Sequence, residues 1–416
     1  MKTFLLLFII SAISIFPQSR INQKHLRSDY ALESSREAFK SELDAQIKTT
    51  FSTKLNSRTE KAWSSLFRKV GLQLYKSDKI YSAIKLGSDY ATNGSIKFQR
   101  AVVEAIITLY PGMFKETIDI LFRTTKDPTL YSYVVHYYSN LNLFSKDEYI
   151  AETKSRFPNY LKIPQLNYLI YYLEQDSIFT PPLVDILSNK FIDGKTIIYS
   201  FHRKDRSYPG ITIIKRPNGE FVKGDNDSIF YVKQLALSVT NLPGYLSQGN
   251  TPQGIFSVVG FYNSPTPSIG PTAAVLTRIP YEVSIKLWYH KTVSKTYWDI
   301  KDYKNLLPES WQDYLPIYES FYAGKTGRRK IVMHGSVDDL TFYDKLPYAP
   351  LTPSKGCLTT TEIWSDSTGQ NIKSNQAELM NAFFSTGHLY GFLVVIDIDD
   401  KKEAVTIEDV LPFITN

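Results

Sequence analysis

The sequence predicts an α+β protein: an irregular all-α helical array over residues 20–190, then a β-rich domain over 191–416 with helical insertions. Three observations lead there. Up to about residue 189, apolar residues recur at three- and four-residue spacing between short polar stops; after about 191 they fall into short alternating runs separated by Gly, Pro and Asn. A length of 416 residues accommodates two or three domains. A composition of 43% hydrophobic and 21% charged residues is globular and leaves room for a sizeable core.

Ahead of both halves, Lys2 precedes the apolar run 4–16 and polar Gln18-Ser19-Arg20 follows, which reads as a secretory signal over residues 1–19. The run is shorter than the roughly twenty residues that span a bilayer. The expectation is an exported chain with no membrane span after signal removal; a retained N-terminal anchor is the alternative. The formal net charge of +7 contains no basic block longer than Arg328-Arg329-Lys330. Nucleic-acid binding is therefore unsupported, and mild attraction to an anionic envelope surface is the economical reading. The 29 tyrosines fit either amphipathic binding surface or packing at domain edges.

In the first half, residues 99–110 form a helical pattern ended by Pro111-Gly112. The next pattern, 113–122, places Phe114, Ile118, Leu121 and Phe122 on one face. Lys126-Asp127-Pro128 opens a further helix, and Pro181-Pro182 starts the last at its first turn. No strict period marks a repeat family. The aromatic stripes, with His136 among them, read as core.

In the second half, strands are expected at 195–201, 211–214, 230–238, 255–261, 283–289, 331–334 and 392–398. Asn218-Gly219 turns a hairpin between 211–214 and 216–222. Helical insertions are expected near 303–321 and 375–384, with an irregular loop at 265–271.

Cys357 is the one cysteine in the chain, within Ser354-Lys355-Gly356-Cys357-Leu358 and downstream of Ile331-Val332-Met333-His334-Gly335-Ser336. An exported chain gains disulfides from paired cysteines, so a single thiol calls for another account. Two readings fit: a nucleophile, exposed on a tight glycine turn near backbone N–H groups and activated by a base, or a small buried hydrophobe. His202, His290 and His388 show no metal-ligand spacing and read as packing or surface residues.

Together with Thr251-Pro252-Gln253-Gly254-Ile255-Phe256, these segments resemble, in order and spacing, the motifs of bacterial L,D-transpeptidases, the cysteine enzymes that cross-link peptidoglycan. The resemblance covers roughly residues 195–400. It implies a β-rich catalytic domain of that type, with Cys357 as nucleophile, His334 as base and the Gly335 carbonyl orienting the base. Gly356 and Leu358 then frame an oxyanion site, while Ser336, Ser354, Lys355 and Thr359 lie where substrate binds, Ser354 also suiting a turn-holding role. Lys355 stands where most members carry a second histidine, and Thr359 where they carry Arg or Asn. Lys355 is either a cation favouring the thiolate or a solvated loop residue. Asp338, Asp339 and Asp344 either cap the site and meet an acceptor amine or, the plainer reading, form a solvated loop, while Tyr343, Tyr348 and Trp364 flank the motif, where they either line the donor groove or simply pack.

What the resemblance implies is acyl transfer on stem peptides without metal or cofactor, in the periplasm or envelope of a bacterium. The helical half is then free to meet glycan or an envelope protein partner. Two alternatives stand beside transpeptidation: an L,D-carboxypeptidase or cross-link hydrolase with water as acceptor, and a non-catalytic wall-binding protein.

Overall fold

A computed structural model describes residues 20–141, 143, 145–174 and 179–414. The apolar leader at 1–19 lies outside the described residues. The protein is mixed α/β, with an N-terminal helical region and a C-terminal eight-stranded closed barrel. Among the described residues no helix is long and apolar enough to cross a membrane.

The helical region runs through α1 (Glu33–Ser52), α2 (Glu60–Leu72), α3 (Asp78–Tyr90), α4 (Ile96–Leu109), α5 (Lys115–Thr124), α6 (Pro128–Asn140), α7 (Lys146–Arg156), α8 (Pro164–Leu173) and α9 (Leu183–Leu187). Its boundaries follow local chemistry. The Asp127 carboxylate accepts the Leu130 N–H at 2.7 Å and Pro128 occupies the first turn, so α6 starts where the sequence places it. The stripe on α6 is core: Leu130, Tyr131, Val134, Val135 and Tyr138 are buried.

The barrel is built from β1 (Thr196–Arg203), β2 (Gly210–Lys215), β3 (Val232–Leu235), β4 (Gly254–Tyr262), β5 (Ala274–Arg278), β6 (Met333–His334), β7 (Leu358–Thr360) and, after a separate hairpin of β8 (Glu362–Trp364) and β9 (Asn371–Ser374), β10 (Tyr390–Asp399). The order around the barrel is β1-β10-β4-β5-β6-β7-β3-β2. The pairs β1–β10 and β6–β7 are parallel and the other neighbours antiparallel. Every residue of β1 and β2 is buried, the pattern of strands covered on both faces.

The expected hairpin turns at Asn218-Gly219, its return arm joined by bridges such as Lys215–Phe221. The expected strand at 283–289 is instead α10 (Ile285–Trp288). Ser284 caps it by accepting the Leu287 N–H, and Ile285 and Trp288, three apart, are buried while Leu287 faces out, so a helical period overrides the apparent alternation. The insertion expected at 303–321 resolves into α11 (Ile300–Lys304), two 3-10 turns and α12 (Glu319–Lys325), and that at 375–384 is α13 (Asn375–Phe384).

One hydrophobic core runs through both halves. The Tyr133 hydroxyl donates to the Ser247 carbonyl at 2.6 Å, His136 meets the Tyr245 hydroxyl at 2.8 Å, and the Tyr168 and Tyr322 rings pack 5.0 Å apart. At the other end, the segment before α1 lies along the β8–β9 hairpin, with the Asn371 N–H donating to the Leu26 carbonyl at 3.0 Å and the Ser28 N–H to Gly369 at 2.8 Å. Packing thus crosses the boundary near residue 190 in several places, and the helical half forms part of the barrel's surroundings.

Candidate active site

Strand pairing brings the two chemically suggestive residues together. Parallel β6 and β7 pair Met333 with Leu358 and His334 with Thr359. His334 therefore ends one strand beside the turn that delivers Cys357 to the next. The half-buried Cys357 thiol lies beside the His334 imidazole, close enough for each to shift the other's proton affinity, and donates to the Lys330 carbonyl oxygen 3.7 Å from its sulfur. His334 Nδ1 lies 2.5 Å from the Gly335 carbonyl oxygen. A carbonyl only accepts, so Nδ1 carries the hydrogen and Nε2 is left to the thiol.

Charge follows this geometry. Burial alone pushes the Cys357 thiol up, but the His334 hydrogen bond and charge, a hydrogen bond with the Val332 backbone and the Arg328 guanidinium together bring it below the ordinary thiol range. Burial pulls His334 down, and the bond and charge of Cys357, the Gly335 carbonyl and Asp338 outweigh it, leaving the imidazole raised. Opposite shifts on bonded partners favour a thiolate–imidazolium pair that titrates as one unit.

The turn that carries Cys357 is held from several sides. Gly356 has φ +108°, and a Cβ there would come within 1.7 Å of Arg328 Nη2 and 2.4 Å of the Gly249 carbonyl, so both conformation and crowding demand glycine. The Thr251 hydroxyl donates to the Gly356 carbonyl at 3.0 Å, giving the Thr-Pro-Gln-Gly segment its place in the site. The Ser354 hydroxyl donates to the Cys357 carbonyl and accepts the Gly356 N–H, both at 2.9 Å, so its job is the turn itself.

Those bonds correct the expected oxyanion site. The Gly356 N–H goes to Ser354 and the Leu358 N–H to the Val332 carbonyl at 3.0 Å, as parallel pairing requires. The Cys357 N–H lies between these two engaged donors. Thr359 is likewise engaged by the fold: it is buried and its hydroxyl donates to the Thr352 carbonyl at 2.6 Å. Ser336 is buried and donates to Asp338 at 3.0 Å. The exposed Lys355 has its electrostatic neighbours in the helical half, Arg68 and Glu104, and the cation acting on Cys357 is Arg328.

Other expectations also give way. Asp338 and Asp339 are not a solvated loop. Asp338 is held by Ser336 and by Gln73 at the end of α2, and burial pushes it up to about 6; Asp339 pairs with Lys40 of α1 at 2.9 Å. Asp344 is exposed. Tyr343 and Tyr348 are buried in a small apolar cluster with Leu235, Leu237 and Leu351, and the Trp364 indole N–H donates to the Ser336 carbonyl at 3.1 Å. His202 and His290 bond to Ser200 and Ser257 and serve packing, and burial pushes His136 down to about 3. Among the described residues no group of His, Cys, Asp and Glu could hold a metal ion.

Three site residues escape a reading by sequence. Arg328 belongs to what looks like a basic surface block, yet it is buried, donating to the Asn250 carbonyl at 2.6 Å, to Gly249 at 2.5 Å and to Gly244. Glu362 lies behind Gly335, where a Cβ would come within 2.2 Å of its carboxyl group. Thr272 and Ser374 donate to its Oε1 at 2.6 and 2.5 Å, and burial pushes it up to about 7. An acid at an alternating position in Thr360-Thr361-Glu362-Ile363-Trp364 was its signal. Half-buried Tyr262, ending β4, is raised first by burial and then by the Cys357 charge.

Compared with protein-family models, with curated proteins and with solved structures, the chain matches none. The functional reading therefore rests on the site's own chemistry.

Proposed function

We propose that this protein is an exported cysteine acyltransferase of the L,D-transpeptidase type, acting on peptidoglycan stem peptides in the bacterial periplasm or envelope. The observation that carries the reading is a lone cysteine whose thiol is brought below its ordinary range by a neighbouring imidazole, with the imidazole's Nδ1 fixed by the Gly335 carbonyl. The motif departures have a counterpart in the geometry: with Thr359 in place of the family's Arg or Asn, the Arg328 guanidinium reaches beneath the same turn from the β6 side.

His334 Nε2 takes the thiol proton and the Cys357 thiolate attacks the carbonyl carbon of the L-centred residue of a stem peptide. The Cys357 N–H receives the developing oxyanion. Collapse breaks the peptide bond, His334 returns the proton to the departing amine of the terminal D-residue, and a thioester remains. An acceptor amine, deprotonated by His334, then attacks the thioester carbonyl, forms the cross-link and releases the thiol. Arg328 and the Gly335 carbonyl stabilise the charged dyad without touching substrate.

Purified full-length protein incubated with a stem tetrapeptide, with and without an amine acceptor, tests this. The expected products are the cross-linked peptide with acceptor present and a Cys357 thioester before acceptor is added. Exclusive hydrolysis in excess amine contradicts transpeptidation and assigns the dyad to a carboxypeptidase or hydrolase. A Cys357 that neither acylates nor reacts with thiol reagents near neutral pH leaves a non-catalytic wall-binding protein.

A further inference from the structure

A cavity of about 620 Å³ opens between the helical half and the barrel, on the far side of the wall that backs the nucleophile turn. Its volume is that of a small-molecule site. We propose that it binds a neutral saccharide. Read together with the proposed function, which this step rests on, the saccharide is the glycan portion of the same polymer whose peptides meet Cys357.

One side is aromatic, with Tyr168, Tyr171 and Tyr172 of α8. Tyr172 is 45% exposed, so part of its ring is open to a ligand. Aromatic faces carry negative charge density that suits the polarised C–H face of a pyranose, and tyrosine offers flat amphipathic area at little conformational cost.

The barrel side is polar and built. Arg206, only 4% exposed, pairs through Nη2 with buried Asp397 at 2.8 Å, while among the described residues its Nη1 has no hydrogen-bond partner. A buried donor left unmatched costs stability unless something meets it. A guanidinium beside a carboxylate offers adjacent donors and acceptors, the arrangement that vicinal hydroxyls satisfy. Buried Glu319 stands nearby, already accepting the Tyr245 and Gln253 N–H groups at 3.1 and 2.9 Å.

The described lining mixes donors and acceptors of both kinds: Lys146, Lys204 and Arg206 stand beside Asp400, Glu319 and Asp397, and burial raises the Glu319 and Asp397 carboxyls above their ordinary range, where a carboxyl group can donate as well as accept. An uncharged ligand rich in hydroxyl and amide groups, with apolar faces, fits.

The wall between the two sites is one layer thick. Thr251 lines the cavity and donates to the Gly356 carbonyl, while Gly244 and Asn250 line it and accept from Arg328. Saccharide seated here would lie against the layer that shapes the nucleophile turn.

Titrating the full chain with a peptide-free β-1,4-linked N-acetylglucosamine tetrasaccharide, followed by calorimetry or amide chemical shifts, tests the assignment. Saturable binding is expected, weakened about tenfold by Tyr172→Ala through loss of one stacking face, weakened also by Arg206→Gln, and unchanged by Cys357→Ala. Absence of saturable binding, or binding indifferent to both cavity variants, overturns the proposal. If Cys357 acylates but saccharide does not bind, the cavity assignment alone falls. If saccharide binds in the cavity but Cys357 never acylates, the enzymatic reading alone falls.

Discussion

The nucleophile turn and the tyrosine-lined cavity lie on opposite faces of one wall, and they settle their buried charge in different ways. At the turn, hydrogen bonds made to backbone groups decide: the Gly335 carbonyl sets the imidazole, and the Ser354 and Thr251 hydroxyls and the Val332 carbonyl fix the loop that carries the sulfur. In the cavity, side chains decide, with Arg206 set against Asp397 and further acidic and basic groups around them. Backbone-held geometry concentrates reactivity on one atom. Side-chain pairing leaves a polar surface suited to recognition, and the same contrast orders the ways of breaking each site.

Replacing Cys357 by Ala should abolish acyl-adduct formation outright while leaving saccharide binding in the cavity intact, which intact-mass measurement and calorimetry on the same sample would show. Next in size is His334→Ala. Without the hydrogen bond and positive partner the thiol returns toward its ordinary range, and alkylation by iodoacetamide at pH 7 should slow by on the order of tenfold or more; an unchanged rate would detach the histidine from the sulfur's chemistry.

Gly356→Ala strikes the turn's backbone. A methyl group driven into the Arg328 guanidinium at a positive φ should cost at least about 2 kcal/mol and lower the melting temperature, whereas a wild-type Tm would mean that Arg328 can withdraw freely.

A smaller effect concerns pH. Glu362 is raised by burial from its ordinary 4.5 to about 7, so between those values the folded protein holds a proton that the unfolded chain has released. The stability tied to that proton is complete below about 4.5 and is lost as pH rises through 7. Glu362→Gln should flatten the fall in Tm over this window, leaving the slope due to the other carboxyls that burial raises, Asp338 (from 3.8 to about 6), Glu104, Glu319 and Asp397. An identical slope in the variant would show that the carboxyl group titrates normally. Least of all, Lys40→Ala removes a half-exposed partner of Asp339 and should shift stability by less than about 1 kcal/mol.

The same contrast explains what the sequence made legible. Cys357, His334 and Gly335 sit in short segments that each end or begin a strand, and their relation depends on one parallel pairing, so spacing and order were enough. The change of period near residue 191 separated the helical region from the barrel for a similar reason. Arg328 was hidden because a basic triplet looks the same whether it is solvated or buried under carbonyls. Gln73 and Lys40 reach the loop after His334 from helices more than 250 residues earlier, and no local pattern announces such contacts. The cavity is the extreme case, since Tyr172, Arg206, Glu319 and Asp397 become neighbours only once the helical half has packed on the barrel. Residues 283–289 misled because four alternating apolar positions fit a strand until Ser284 capped a helix.

The central claim is that the Cys357 sulfur, ionised by His334, attacks a stem-peptide carbonyl. Its most direct test is the intact mass of the full chain mixed with a stem tetrapeptide and quenched in acid, followed by peptide mapping. The account predicts an added mass equal to the tripeptidyl acyl group, located on Cys357 and missing from His334→Ala on the same timescale. An unmodified cysteine in the wild-type protein, or an adduct that forms equally fast without the imidazole, would contradict it.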